Sequence, residues 1–246
     1  MATSPTPAPE TQTPINHISR IFGALFNPKE TFADIVRRPS WIAPIVLLTI
    51  FSLAITLIFT QRVGWERFMA QQFEQNPRTA QMRPEQRQQA MERAVAFAKV
   101  GGYVGSVIGN LVLALIVAAI LMGAFNILAG AGVRFSTAMG VVSHGLMPLA
   151  VAGVLGILIL YLKDPDTVNL QNLVGSNLGP LLGSDAPRWL TRLATSLDLF
   201  SFWSIFLMAL GFSVANPKKV SLGKALGVVI GLWAVWVLVK VGWAAF

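Results

Sequence analysis

The chain has 246 residues, of which 54% are hydrophobic and only 12% are charged, whereas ordinary soluble domains contain about 25% charged residues. Its net charge is +8. The absence of Cys excludes thiol chemistry and a disulfide framework, and the presence of only two His disfavours a metal site. The composition predicts an integral membrane protein that needs no cofactor. Because the basic residues are scattered among long apolar runs, membrane lipids are the expected partner, and no nucleic-acid site is predicted.

Residues 1–14 are rich in proline and poor in apolar side chains. Such a segment buries too little surface to offset its chain entropy, so it is predicted to be a disordered tail. It has no basic region followed by a short apolar region, as a cleaved signal peptide would. The mature protein is therefore expected to keep this tail.

Two short amphipathic helices are predicted between Ile15 and Val36. In the first, apolar residues recur at three- and four-residue spacing, and Asn27-Pro28 supplies a cap and a first-turn proline for the second. Two placements remain open: both helices lie in the lipid headgroup layer, or both pack on the bundle. The side chains expected as anchors at the membrane interface are Arg37, Arg38, Trp41 and Trp203.

Residues 15–246 are predicted to form one all-α domain, a polytopic bundle of five transmembrane helices. Each apolar run is about as long as a helix that crosses a hydrocarbon core of ~30 Å. Only structures that satisfy every backbone polar group internally can span lipid, and no alternating pattern typical of a barrel is present. The predicted spans are 41–60, 103–128, 137–161, 194–215 and 222–242.

The segments between the spans are also informative. Pro84-Glu85 opens a run of good helix formers that is expected to continue unbroken into the second span. The polar region from Gln61 to Lys99 is interpreted as a solvated helical hairpin over the bundle, and a dedicated site for a partner is the alternative. The region 163–192 is interpreted as an irregular lid that rests on the membrane surface.

Two rows of glycines recur every four residues on predicted spans. Each row forms a groove where another helix backbone can approach closely. The favoured interpretation is packing within the bundle, and contact between two copies of the chain is the alternative. The rows consist of Gly101, Gly105 and Gly109, and of Gly223, Gly227 and Gly231.

A few polar groups are predicted inside the membrane, where they are costly and therefore candidates for function. Asp198 either caps a helix that begins beside it or serves in a proton relay. His144 lies four residues before Pro148, which is expected to kink the third span. Asn110 and Asn126 are candidate hydrogen-bond partners for it. No catalytic, cofactor-binding or metal-binding pattern is found, so no enzyme is predicted.

Two segments resemble a known family. Asn27 to Leu48 (NPKETFADIVRRPSWIAPIVLL) and Ser196 to Ile230 are similar to the bacterial branch of the Yip family, the Rab-GTPase-interacting membrane proteins with a Yip-one domain. The similarity extends over about Ile15 to Phe246. The anchor residues are Pro28, Phe32, Pro39, Trp41, Asp198, Phe200, Trp203, Gly211 and Lys224.

The resemblance implies a five-helix membrane protein with a cytosolic N-terminus, and its eukaryotic relatives act in vesicle trafficking and membrane shaping. We therefore expect a non-enzymatic protein of the bacterial inner membrane that organises the membrane or binds a protein partner. The raw count of basic residues favours the opposite orientation, but the prediction follows the resemblance. The alternative function is a small transporter or permease subunit that uses Asp198 and His144.

Overall fold

The computed structural model describes residues 15–74, 76, 79, 81–183 and 186–245, without the side chains of Asp166 and Gln171. The predicted tail, 1–14, lies outside the described residues. The described chain is α-helical apart from its connections, which contain the 3-10 helices Pro165–Thr167, Leu170–Asn172 and Gly179–Leu181 and one isolated bridge. Its helices are α1 His17–Phe26, α2 Pro28–Arg37, α3 Ile42–Arg62, α4 Trp65–Glu74, α5 Pro84–Ala129, α6 Phe135–Gly145, α7 Pro148–Leu162, α8 Arg188–Ser196, α9 Leu199–Ala215 and α10 Leu222–Ala245.

The all-α membrane bundle predicted from the sequence is confirmed. Within the described residues, four helical stretches are long and apolar enough to cross a membrane: α3, α5, α6 with α7, and α10. The apolar helix α9 is shorter, and its 17 residues extend about 26 Å. The count of five spans therefore depends on α9 and stays a prediction.

Helix α5 is a single helix of 46 residues, about 69 Å long. Pro84 begins it, where the missing N–H costs nothing, and Gly130 ends it at a left-handed φ of 58°. The expectation that the helix runs unbroken into the second span is confirmed. Its length is about twice the hydrocarbon thickness. Its first turns extend beyond the bundle, while Val95 and Ala98 pack on the apolar cluster that includes Phe59 and Trp65, and α4 packs against this part of the helix.

The main core lies where α2, α6 and α9 meet α5. Phe125 of α5 stacks on Phe212 of α9 with ring centroids 4.4 Å apart, and Phe32 and Ile35 of α2 are fully buried. The helix α2 is thus an integral part of the bundle. For α2, the structure shows packing on the bundle, which is one of the two placements left open by the sequence.

The bundle has two ends, which are named here by their segments. The N-terminal end comprises α1, α2 and the connections 130–134 and 216–221, which hydrogen bond to each other through Asn216 Nδ2 and Ala131 O at 2.8 Å. The opposite end comprises the connections 63–83 and 163–198. There Arg62 Nη1 donates to Tyr161 O at 2.8 Å, and Lys240 Nζ contacts Ser196 Oγ at 3.1 Å.

The connection after α7 packs partly on protein. Val168 is buried in a second apolar cluster with Phe59, Trp65 and Leu160, while Leu181 remains 81% exposed. The prediction of a lid on the membrane surface therefore fits only part of this segment, because some of its apolar side chains pack on the bundle and others are exposed.

The predicted fourth span, 194–215, differs from the structure at its start. The chain forms a separate amphipathic helix, α8, and then begins α9 at Leu199. The break falls at Leu197, whose backbone is not helical, and at Asp198. A carboxylate at a helix start satisfies free N–H groups, so the helix begins after Asp198 and not before it.

Candidate functional site

Asp198 is the N-cap of α9. One of its carboxylate oxygens accepts hydrogen bonds from the backbone N–H of Ser201 at 2.8 Å and from the Ser201 hydroxyl at 3.0 Å. The other accepts from the Ser176 hydroxyl. The negative charge also lies at the positive end of the helix dipole. Both oxygens are therefore used to join α9 to the preceding connection.

The backbone reinforces this junction. Asn177 and Asp198 form an antiparallel bridge, and the N–H of Leu199 donates to Ser176 O at 3.0 Å. Beside it lies a cavity of about 340 Å³. Its walls are mostly apolar side chains and glycines, and its polar lining residues are Asn172, Ser176, Asn177 and Asp198. Because these polar groups bond to protein, the cavity has no evident group aimed at a ligand.

His144 is buried in α6, just before a helix break. Its Nδ1 lies 2.9 Å from Gly140 O and 3.4 Å from the Ser143 hydroxyl. Leu146 and Met147 separate α6 from α7, which begins at Pro148. The kink predicted at Pro148 is thus present, and the imidazole bonds to its own helix.

The two asparagines do not join His144, contrary to the expectation. Asn110 Nδ2 donates to the Ser52 hydroxyl at 2.9 Å and so links α5 to α3. The side chain of Asn126 exchanges two hydrogen bonds with the backbone of Val133, at 2.8 and 3.0 Å. Each amide therefore bonds to a group other than His144, and the polar residues form separate sites.

The structure reveals a buried ion pair that the sequence analysis missed. Arg20 of α1 and Asp34 of α2 are both buried, and Arg20 Nη2 lies 2.6 Å from Asp34 Oδ2. Arg20 Nη1 also donates to Arg38 O at 3.0 Å and to the Ser40 hydroxyl at 2.7 Å. The Arg20 guanidinium therefore links α1 to α2 and to the residues that precede α3.

Helix α1 packs the apolar residues Ile21 and Leu25 against the main core and turns a second apolar stripe away from the protein. Arg20 and Ala24 face the protein and are buried. The opposite face is exposed and apolar, with Ile18 at 70%, Phe22 at 59% and Phe26 at 79% exposure. A large apolar stripe that faces outward is typical of contact with lipid.

The predicted glycine rows both face outward. A Cβ atom built at Gly101, Gly105 or Gly109 meets nothing within 4 Å, and the same holds for Gly223, Gly227 and Gly231. Packing of these rows within the bundle, the favoured prediction, is therefore wrong. The four-residue spacing places each row on one helix face, and the fold turns both faces away from its own helices.

Other glycines provide the close approaches inside the bundle. At Gly211 of α9, a Cβ would overlap Val141 of α6 and lie 3.0 Å from the ring of Phe32. At Gly140, it would lie 3.3 Å from the backbone oxygen of Ser40. The two segments that resemble the Yip family thus contact each other directly, α2 through Phe32 and α9 through Gly211.

The predicted interface anchors divide into two groups. Arg37, Arg38 and Trp41 are exposed at the end of α2 and the start of α3. Trp203 is half-buried against the main core near the start of α9, at the opposite end. In the described part of the chain, no group of three or more His, Asp or Glu side chains is placed to hold a metal ion.

The long apolar helices, the outward apolar surface and the buried polar groups together define a polytopic α-helical membrane protein. Its membrane-embedded helices contact lipid. A family model, the Yip1 domain, matches residues 22–244. The chain therefore belongs to the Yip1 domain family, as the resemblance indicated. No match was found among curated proteins or among solved structures.

Proposed function

We propose that this protein is a non-enzymatic membrane scaffold, which organises the bilayer around it or binds a protein partner at the bacterial inner membrane. The observation that carries the proposal is the use of its buried polar groups. Asp198 bonds to Ser176 and Ser201, and Arg20 bonds to Asp34 and Ser40. These costly groups hold helices together, which supports a structural use of the fold.

Membership of the Yip1 domain family also supports the proposal, because it indicates a membrane protein. In addition to family membership, we propose the scaffold role, the protein partner and the location in the bacterial membrane. The N-terminus is proposed to lie in the cytoplasm. This orientation places Arg134, Lys218 and Lys219 in short cytoplasmic connections, as the positive-inside rule favours.

The direct test is capture of the full-length protein from native membranes in mild detergent, followed by identification of the proteins and lipids retained. The expected result is a reproducible partner that is retained equally by Asp198→Asn, since that variant keeps the shape of the α9 start. The variant Phe32→Ala is captured in parallel for comparison with Asp198→Asn, because it removes the contact between α2 and α9. Recovery of neither protein nor lipid above background would contradict the proposal.

The transporter hypothesis gives a different outcome in a different assay. Reconstituted vesicles should show no proton flux above protein-free vesicles. Flux that disappears in Asp198→Asn would replace the scaffold proposal by the transporter.

A further inference from the structure

The charged residues are distributed unequally between the two ends of the bundle. At the N-terminal end, the chain from Ile15 to Trp41 and the connections 130–134 and 216–221 carry two carboxylates, Glu30 and Asp34. Asp34 is buried against Arg20, which leaves Glu30 as the carboxylate that the surface presents there. The exposed basic residues at this end are Lys29, Arg37, Arg38, Arg134, Lys218, Lys219 and Lys224.

At the opposite end, basic and acidic residues alternate. The sequence of the connection 63–83 and of the first turns of α5 contains four basic and three acidic residues: Arg67, Arg78, Arg83 and Arg87, and Glu66, Glu74 and Glu85. The excess of basic over acidic residues is therefore larger at the N-terminal end, which has eight basic residues and two carboxylates, than in the segment 61–99, which has seven basic residues and four carboxylates.

The fold brings several of the basic residues of the N-terminal end together. Lys219 Nζ donates to Gly130 O at 2.6 Å, so the connection 216–221 lies on the connection 130–134. This contact places Lys218 and Lys219 beside the segment that ends at Arg134, and Lys224 follows in the first turn of α10. An ammonium group has three N–H donors, so Lys219 keeps donors for a ligand.

The apolar stripe of α1 lies at this same end. Phe22 and Phe26 point away from the protein, and the Arg20–Asp34 pair fixes that orientation. An amphipathic helix of this kind lies at the boundary between headgroups and acyl chains. The basic residues are thus held at a membrane surface, where phosphate groups are the available anions.

We propose that the N-terminal end is a binding surface for anionic phospholipids, with α1 in the interface and the basic cluster on the headgroup phosphates. The cluster consists of Arg134, Lys218, Lys219 and Lys224. Each basic side chain near such a surface favours anionic lipid by about fivefold. The surface does not require a protein partner, so it can be tested separately from the scaffold role.

The test uses the full-length protein in vesicles of phosphatidylcholine with spin-labelled phosphatidylglycerol or spin-labelled phosphatidylcholine as the probe. The fraction of motionally restricted label reports lipid at the protein surface. Wild type should restrict phosphatidylglycerol several-fold more strongly than phosphatidylcholine, and added salt should weaken this preference. The variant R134Q/K218Q/K219Q/K224Q should lose most of it.

A matched control removes four exposed basic residues elsewhere, as R83Q/R93Q/K99Q/K163Q, and should keep the preference. Both variants must show the helical circular dichroism and monodisperse profile of wild type. If folding of the first variant fails, the pair K218Q/K219Q gives the same comparison with a smaller loss. Equal restriction of the two lipids by wild type, or equal loss in both variants, would overturn the proposal. Displacement of the labelled lipid by soluble inorganic phosphate alone would also overturn it, since the site would then bind a free anion.

Discussion

At the residue scale, Asp198 shows how a membrane carboxylate can be structural. Asp198→Asn keeps an oxygen for the first-turn N–H and loses mainly the interaction with the helix dipole, so it should cost about 0.5–1 kcal/mol. Asp198→Leu should cost more, since the hydroxyls of Ser176 and Ser201 then lose an acceptor. Unfolding in mixed micelles measures both. A folded, well-expressed Asn variant that cannot complement a deletion strain would contradict the structural role.

The Arg20–Asp34 pair gives a second prediction at this scale. Arg20→Met leaves a buried carboxylate without its counter-ion and should destabilise the protein by about 3–5 kcal/mol. The double variant R20M/D34L removes both charges and should recover most of that loss. Unfolding in mixed micelles measures the difference, with the exposed Arg38→Met as control. Additive losses in the double variant would show that the two side chains do not act as a pair.

At the element scale, the glycines distinguish helix faces that pack from faces that do not. Gly211→Ala puts a methyl group into Val141 and close to Phe32, so it should cost about 1–3 kcal/mol. Gly227→Ala meets open space in α10 and should be neutral or slightly stabilising. Thermal denaturation in detergent compares the two. A loss of oligomer or function in Gly227→Ala alone would instead identify that face as a contact between copies.

The placement of α1 is open to a direct depth measurement, because the chain has no Cys. A spin label on Phe22→Cys should collide readily with oxygen and poorly with a water-soluble nickel chelate, since this face is expected in lipid. A label on Arg93→Cys, in the part of α5 that extends beyond the bundle, should show the reverse. Equal access of the chelate to both labels would place α1 in water.

At the scale of the whole molecule, the course of α9 determines the topology. Its start is tied to Ser176 and its end at Asn216 is tied to Ala131, so it runs from one end of the bundle to the other. Reporters fused after Pro14 and after Phe246 should therefore give opposite compartments, with the first in the cytoplasm. If both reporters were in the same compartment, the number of transmembrane helices would not be five. The 17-residue α9 would then be the first helix to be reassigned as one that does not span the membrane.

Much of the architecture followed from local pattern. Apolar length and the need to satisfy backbone groups in lipid are properties of consecutive residues, and they predicted α3, the long α5 and α10. The proline at position 148 predicted the kink. The capping alternative for Asp198 could likewise be named from Thr195, Ser196 and the helix that follows. Arg20 lies between the apolar residues of α1 in the sequence, and this pattern does not indicate whether its side chain meets water or protein.

The surface that packs against each helix face was decided by contacts between segments that are distant in the sequence. Asp34 lies 14 residues from Arg20, and the Phe32–Gly211 contact joins helices separated by most of the chain. Periodicity defines a helix face but not its neighbour, because packing free energy depends on the shapes of both surfaces. For this reason the glycine rows were recognised but assigned to the wrong surroundings, and the buried ion pair emerged only when α1, α2 and the start of α3 were seen together.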